Sequence, residues 1–284
     1  MGLVVVAGVA GEDGASDEPA ASAAKLKTDA FDSGRAWAEL RRQVELGERP
    51  AGSKASRRLA RRIRRALPGG RYEKLRGGLR NVVGSLPGTR PAIVLAAHYD
   101  TKDQPGFVGA NDGASGAAAL LELARALEKA PRPRGGRELR FVFFDGEESP
   151  DDEGDFYETG LRGSKAYAKR HQGEIGALVL LDYVGEKGLR IPREDGSNID
   201  LWARLRKAAA RVGAGSTFPD ENASEVLDDH TPFVEQGVPA IDLIDFTYDC
   251  FHKRCDDLSA VSERSLDRVG ETVYALAQDL RRSR

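Results

Sequence analysis

Four short segments of this chain place imidazole and carboxylate groups where a metal ion could use them: AIVLAAHYD, ending at His98 and Asp100; FVFFDGEE, ending at Glu147 and Glu148; ALVLLD, ending at Asp182; and CFHKRCDD, which carries His252. Zinc takes nitrogen and oxygen ligands of these types, and a catalytic site needs them delivered from several elements to one point. Glu147 and Glu148 are adjacent, so one can ligate while the other stays free to take a proton from water. Gly146 before them allows a sharp turn at the strand end. The acids that follow (Asp151, Asp152, Glu153, Asp155 and Glu158) read as a solvated loop.

Asp112 sits in VGANDGASG, a glycine-rich turn leading into a helix. A lone acid at the centre of such a turn would repel a phosphate, which counts against nucleotide binding. Helix capping by Asp112 or Ser115 is the simple alternative, and a ligand role becomes credible with the other segments. Asp100 lies two residues after His98 and can orient it. His252 and Asp256 repeat a histidine-then-acid arrangement on a loop. His230, beside Asp229 in DDHTPF, is either a further ligand or part of a helix start. His171 reads as a surface residue. Cys250 and Cys255, the only two cysteines, bracket His252 and could either join a zinc site or close a small disulfide loop.

The elements that would carry these residues alternate along the chain. AIVLAA, LRFVFF, ALVLLD and VPAIDLI are apolar runs of strand length, and Leu79 to Leu86 reads as a further strand. Between and around them lie helical patterns: residues 33–46, an arginine-rich stretch ending at Pro68, AAALLELARALEKA after Gly116, SKAYAKRH, IDLWARLRKAAARV, and a last helix carrying Leu266, Val269, Val273, Leu276 and Leu280. Continuous apolar strands separated by helices predict an α/β sheet covered by helices on both faces. In such sheets ligands gather at the carboxyl ends of the strands, where His98, Glu147, Glu148 and Asp182 are expected to share one rim.

A formal net charge of −2 over 284 residues implies no bulk attraction to nucleic acid or anionic lipid. The crowded arginines at 57, 58, 61, 62, 64 and 65 are interleaved with Leu59, Ile63 and Leu67 at i, i+4, i+8, the pattern of a solvated amphipathic helix. No run is long and apolar enough to span a bilayer. Residues 1–32, Gly-, Ala- and acid-rich after a short apolar run, read as a flexible leader or signal remnant, with the folded domain at 33–284.

Together and in this order, the segments resemble the family of co-catalytic zinc aminopeptidases, which includes the bacterial secreted leucyl aminopeptidases and the related glutaminyl-peptide cyclotransferases. The likeness spans roughly Arg35 to Leu280. It implies a zinc exopeptidase-like fold: a single three-layer α/β domain with a mixed, mostly parallel sheet. It also implies two zinc ions per chain, one held by His98 and Asp182, the other by Glu148 and His252, with Asp112 bridging. Glu147 would be the general base, with Asp100 grouped beside it at the catalytic centre. Asp229, His230, Phe251 and Asp256 would touch substrate or stand behind the ligands. Cys250 and Cys255 would pair as the small disulfide loop of secreted members, which points to an extracytoplasmic location.

The activity implied is hydrolysis of the N-terminal residue from a peptide with a free amino end; neither nucleic acid nor an integral membrane segment is expected. The cyclotransferase branch is the alternative. It uses one zinc, held by the counterparts of Asp112, Glu148 and His252, and forms N-terminal pyroglutamate. DDHTPFVEQGVPAIDLI and RPAGS resemble that branch, whereas NDGASG, Phe251 in place of a tryptophan, and Asp242 where the animal enzymes have a histidine favour the peptidase. A third reading, a non-catalytic zinc domain of the same fold, is disfavoured by Glu147, a carboxylate that a closed structural site would not need.

Overall fold

The computed structural model describes residues 26–150 and 154–282. In chain order its elements are α1 (Ser33–Val44), α2 (Lys54–Ala66), β1 (Arg71–Lys74), β2 (Arg80–Leu86), β3 (Thr89–His98), α3 (Ala114–Lys129), β4 (Arg137–Phe144), α4 (Phe156–Thr159), α5 (Arg162–Arg170), β5 (Ile175–Leu181), β6 (Arg193–Glu194), α6 (Ile199–Val212), β7 (Asn222–Ala223), α7 (Thr231–Val234), β8 (Ala240–Leu243) and α8 (Glu263–Arg282). Helix starts follow local chemistry: the side chains of Asp32, Ser53 and Asn198 each accept the backbone N–H three residues on, opening α1, α2 and α6.

Six strands form one sheet in the order β1-β2-β4-β3-β5-β8. The pairs β4–β3, β3–β5 and β5–β8 are parallel, while β1–β2 and β2–β4 are antiparallel, so the sheet is mixed and its centre is parallel. The central strands are apolar on both sides because both faces are covered. Leu95, Ala97, Phe141, Phe143 and Val179 turn toward a core shared with α1, α2, α3, α6 and α8, whereas Val94, Ala96, Val142, Phe144 and Leu180 turn toward Tyr167 of α5 and Phe233 of α7. The two short strands β6 and β7 pair apart from this sheet.

Three expectations change. Residues 26–32, given to the leader on composition, are fixed on the domain. Phe31 is buried against Gly270, its N–H donates to Glu271 Oε1 at 2.7 Å, and Lys27 N–H donates to Val212 O at 2.8 Å. The remaining leader, 1–25, and Asp151, Asp152 and Glu153 lie outside the described residues. Helix α3 begins at Ala114, ahead of Gly116, so Gly116 is a helical residue. A Cβ there would stand 2.1 Å from Leu181 O, and glycine is what lets α3 press onto β5.

The third change concerns His171, which is not a free surface group. It lies between Glu73 and Glu174, with Nε2 3.1 Å from Glu73 Oε2 and Nδ1 3.0 Å from Glu174 Oε2, and its ring packs on Tyr167. Arg140 bonds the same Glu174 oxygen at 2.8 Å. That hydrogen bond, more than any other contact, holds the Glu174 carboxyl down at about 2. Because the folded value lies below the ordinary 4.5, the stabilisation is complete above about 4.5 and disappears as pH falls through about 2. Nearly a third of the side chain is in water (31%), so screening limits its worth to about 1 kcal/mol. Glu174→Gln is therefore expected to lower the unfolding free energy by about that amount at neutral pH, with the gap from wild type narrowing below pH 4.5 in denaturant titrations. A gap that stays constant into acid would show that the carboxylate charge is not its source.

Candidate metal centre

Sheet order builds this site. In the parallel register His98 pairs with Phe144, and Ala96 with Leu180, so β3, β4 and β5 end level. Because β3 lies between β4 and β5, His98 is central, the Asp145–Glu148 turn leaves on one side and Asp182 on the other. Neighbouring strands are about 5 Å apart, which brings residues 84 positions apart in sequence into contact.

Two groups of ligand-type side chains result, each with its donor atoms mutually within 4.8 Å: His98, Asp112 and Asp182; and Asp112, Glu148 and His252. Asp112 belongs to both. Its Oδ1 lies 3.3 Å from His98 Nε2, and its Oδ2 lies 3.5 Å from His252 Nε2. Asp182 Oδ1 is 3.2 Å from His98 Nε2, and Glu148 Oε1 is 3.6 Å from His252 Nε2. Glu147 belongs to neither group; its Oε2 is 3.8 Å from His98 Nδ1, and its carboxylate lines the adjoining cavity.

A second ring of contacts sets these positions. Asp100 Oδ1 accepts the N–H groups of Gly146 and Glu147, and Oδ2 accepts that of Glu148, so this carboxylate folds the DGEE turn from beneath His98. Asp100, grouped above with Glu147, is fully buried and is not among the residues lining the cavity. Asp256 acts alike on the other turn, accepting from Asn111 N–H at 2.7 Å and Asp112 N–H at 3.0 Å. Gly113, at φ +82°, closes that turn; a Cβ would come 2.5 Å from Asp100 O and 3.2 Å from the His98 ring. Cys250 and Cys255 are joined in a disulfide around His252, whose own φ is +49°. The linked loop holds an imidazole in a backbone conformation that side chains with a Cβ seldom adopt. Phe251 stacks on that imidazole at 4.0 Å between centroids.

Asp229 and His230 stand behind the rim. Asp229 is buried with neither carboxylate oxygen hydrogen-bonded among the described residues. His230 begins α7 with Nε2 3.5 Å from Glu194 and Nδ1 3.7 Å from Asp242, and it reaches neither ligand group. Other contributors were not readable in sequence. Tyr183, at φ +49°, donates its hydroxyl to Asp112 Oδ2 at 2.7 Å. Arg49, fully buried, donates to the carbonyls of Val108 and Gly109 and so supports the turn before Asp112. The available signals were the tyrosine directly after LLD and the arginine in RPAGS, but neither role exists without the tertiary approach.

The electrostatics suit a cation. Burial, then Asp112, pushes Glu148 up to about 7, and burial, only partly offset by His98, does the same to Asp182. Burial and the adjacent Glu148 hold Glu147 well above the usual glutamate range. Burial works against a charged His98, yet Asp182, Asp100 and Asp112 together raise it well above its ordinary value. So many buried carboxylates repel one another, and Glu148 Oε1 has no hydrogen bond among the described residues. Nitrogen and oxygen donors in this arrangement fit zinc, and positive charge there would relieve the repulsion.

The cavity over the centre measures about 350 Å³. Its wall is largely apolar: Phe156 comes from the start of α4, Val226 and Leu227 from the loop before α7, and Ile244, Phe246 and Phe251 from the loop after β8.

Solved structures share this frame. Glutaminyl cyclase from Porphyromonas gingivalis superposes with a TM-score of 0.79 at 29% identity, covering 89% of this chain and 99% of that one. A leucine aminopeptidase precursor from Bacteroides thetaiotaomicron gives 0.78 at 26% identity, covering 91% and 100%. In sequence the chain is 28% identical over 227 residues to glutaminyl-peptide cyclotransferase from Drosophila melanogaster; the match takes in 69% of this chain and 64% of the fly protein's length. The model of peptidase family M28 matches residues 81–277, a span that carries all five ligand-type residues and Glu147. With most of the chain inside that match, it belongs to peptidase family M28.

Proposed function

We propose that this protein acts on the free amino end of peptides and hydrolyses the N-terminal residue, with two zinc ions held by the groups His98–Asp112–Asp182 and Asp112–Glu148–His252. The observation that carries this reading is the doubled ligand set, in which Asp112 turns one carboxylate oxygen toward each histidine. Zinc so held supplies Lewis acidity, drawing electron density from a carbonyl oxygen and making a water easier to deprotonate near neutral pH. Glu147 takes the proton of the attacking water and delivers it to the departing amine nitrogen. Its freedom from both ligand groups, and a proton affinity raised by burial and Glu148, suit that work. The apolar wall seats the first side chain, while Glu225 and Asp228 at the cavity attract a protonated amino terminus. The disulfide supports an oxidising, extracytoplasmic location.

Cyclisation of N-terminal glutamine to pyroglutamate is the second reading. It is favoured by the His98–Asp182 hydrogen bond, which satisfies that pair without an ion and leaves Asp112, Glu148 and His252 for a single zinc. The likeness to glutaminyl cyclases supports it as well. Zinc-loaded protein incubated with one peptide beginning in leucine and another beginning in glutamine separates the two by mass spectrometry. Hydrolysis yields a peptide shortened by one residue, whereas cyclisation yields only loss of ammonia from the glutamine peptide. The second outcome alone would end the hydrolytic reading, and neither product would favour a non-catalytic zinc domain.

A further inference from the structure

The arginine-rich helix lines a groove. Between α1 and α2 lies an open cavity of about 740 Å³, lined by Arg42, Arg58, Arg61, Arg62 and Arg65 among others. Among the described residues, Glu39 binds Arg62 through two nitrogens of its guanidinium and stands 3.5 Å from Arg42, and Glu45 is the one carboxylate on the groove wall. Among the described residues no ion pair or side-chain hydrogen bond engages Arg58, Arg61 or Arg65, and all three are exposed. Such a concentration of positive charge on a chain of net charge −2 is a local feature, not a consequence of overall composition.

We propose that this groove docks an acidic peptide segment. Guanidinium forks match carboxylates in bidentate geometry, so free arginines at i, i+3 and i+7 of α2 present a row of carboxylate receptors along one helix face. Leu46 and Ala66, neither of them buried, give the groove a small apolar part, which suits a chain carrying apolar side chains between its acids. Other polyanions fit less well. No aromatic residue lines the groove to stack with the bases of a single strand of nucleic acid. A helix lying on a membrane would expose large apolar residues there, but Leu59 and Ile63 of α2 face the core, and none of the large exposed hydrophobic residues lies on α1 or α2. The inference is independent of the metal centre and its reaction.

The test uses the full chain and an N-acetylated, fluorescein-labelled peptide of alternating glutamate and leucine, whose blocked amino end keeps it from acting as an N-terminal substrate. At about 50 mM salt, fluorescence anisotropy is expected to show saturable binding that Arg58→Glu/Arg61→Glu/Arg65→Glu weakens at least about tenfold, with Tm unchanged. If that variant misfolds, Arg58→Gln/Arg61→Gln replaces it, and a loss of about fivefold or more is expected. Absence of binding by the wild-type chain, or equal binding by the folded variant, overturns the proposal. So does arginine-dependent binding that is tighter for a labelled single-stranded oligonucleotide or for phosphatidylglycerol vesicles than for the peptide.

Discussion

Glu147→Gln is expected to lower turnover by about 10³- to 10⁴-fold while zinc content and Tm stay at wild-type values. Glutamine keeps the size of the side chain and can still orient a water through its amide, but it cannot take a proton. The backbone at this position is held independently, since Glu147 N–H donates to Asp100 and Glu147 O accepts from Leu161 N–H. Burial and Glu148 already disfavour the charged form of Glu147, so an uncharged side chain of the same size carries no evident folding penalty. The same loss is expected whether the reaction is hydrolysis or cyclisation, because both need a proton carrier here. Zinc lost from a folded Glu147→Gln protein would make Glu147 a ligand and overturn its role as base.

Asp112→Ala is expected to abolish zinc binding at both positions and reduce turnover by at least about 10³-fold, because this one carboxylate serves both ligand groups. His98→Ala and Asp182→Ala affect one group each and are expected to leave the Asp112–Glu148–His252 ion in place. Elemental analysis after dialysis against limiting zinc measures the difference: two ions in wild type, one in either single-group variant, none in Asp112→Ala. One ion in wild type that His98→Ala retains, together with cyclised product, would transfer the assignment to the cyclotransferase reaction. Asp112 also accepts the Tyr183 hydroxyl, so circular dichroism of the Asp112→Ala protein is needed to separate metal loss from local collapse.

The long elements were legible because their patterns are strong. The β3, β4 and β5 runs are apolar over their inner lengths, and α6 and α8 have caps or spacing that mark them in isolation. Strand β1 was not read, since Arg71–Lys74 has no apolar alternation and exists by pairing with β2. Short α4 and α7 depend on their surroundings in the same way, four residues being too few to hold a helix by propensity. Composition assigned Phe31 to a leader because a single aromatic in polar sequence has no local signature of burial; its contact with Gly270 is made 239 residues away.

What the sequence by itself determined is which imidazole and carboxylate groups stand at the end of which element. A strand's continuous burial and its polar end are both local properties of the chain, so a rim of ligand-type groups could be read from each strand separately. What the tertiary structure decided is how those groups come together. That Asp112 faces both histidines depends on Asp256 and Arg49 holding its turn, on Gly113 fitting against Asp100, and on β3 lying between β4 and β5. The arginines divide in the same way: their spacing marks a charged helix face, but only the packing of α1 beside α2 turns that face into the wall of a groove. Distances between residues far apart in sequence follow from sheet order and helix packing, which no local pattern encodes.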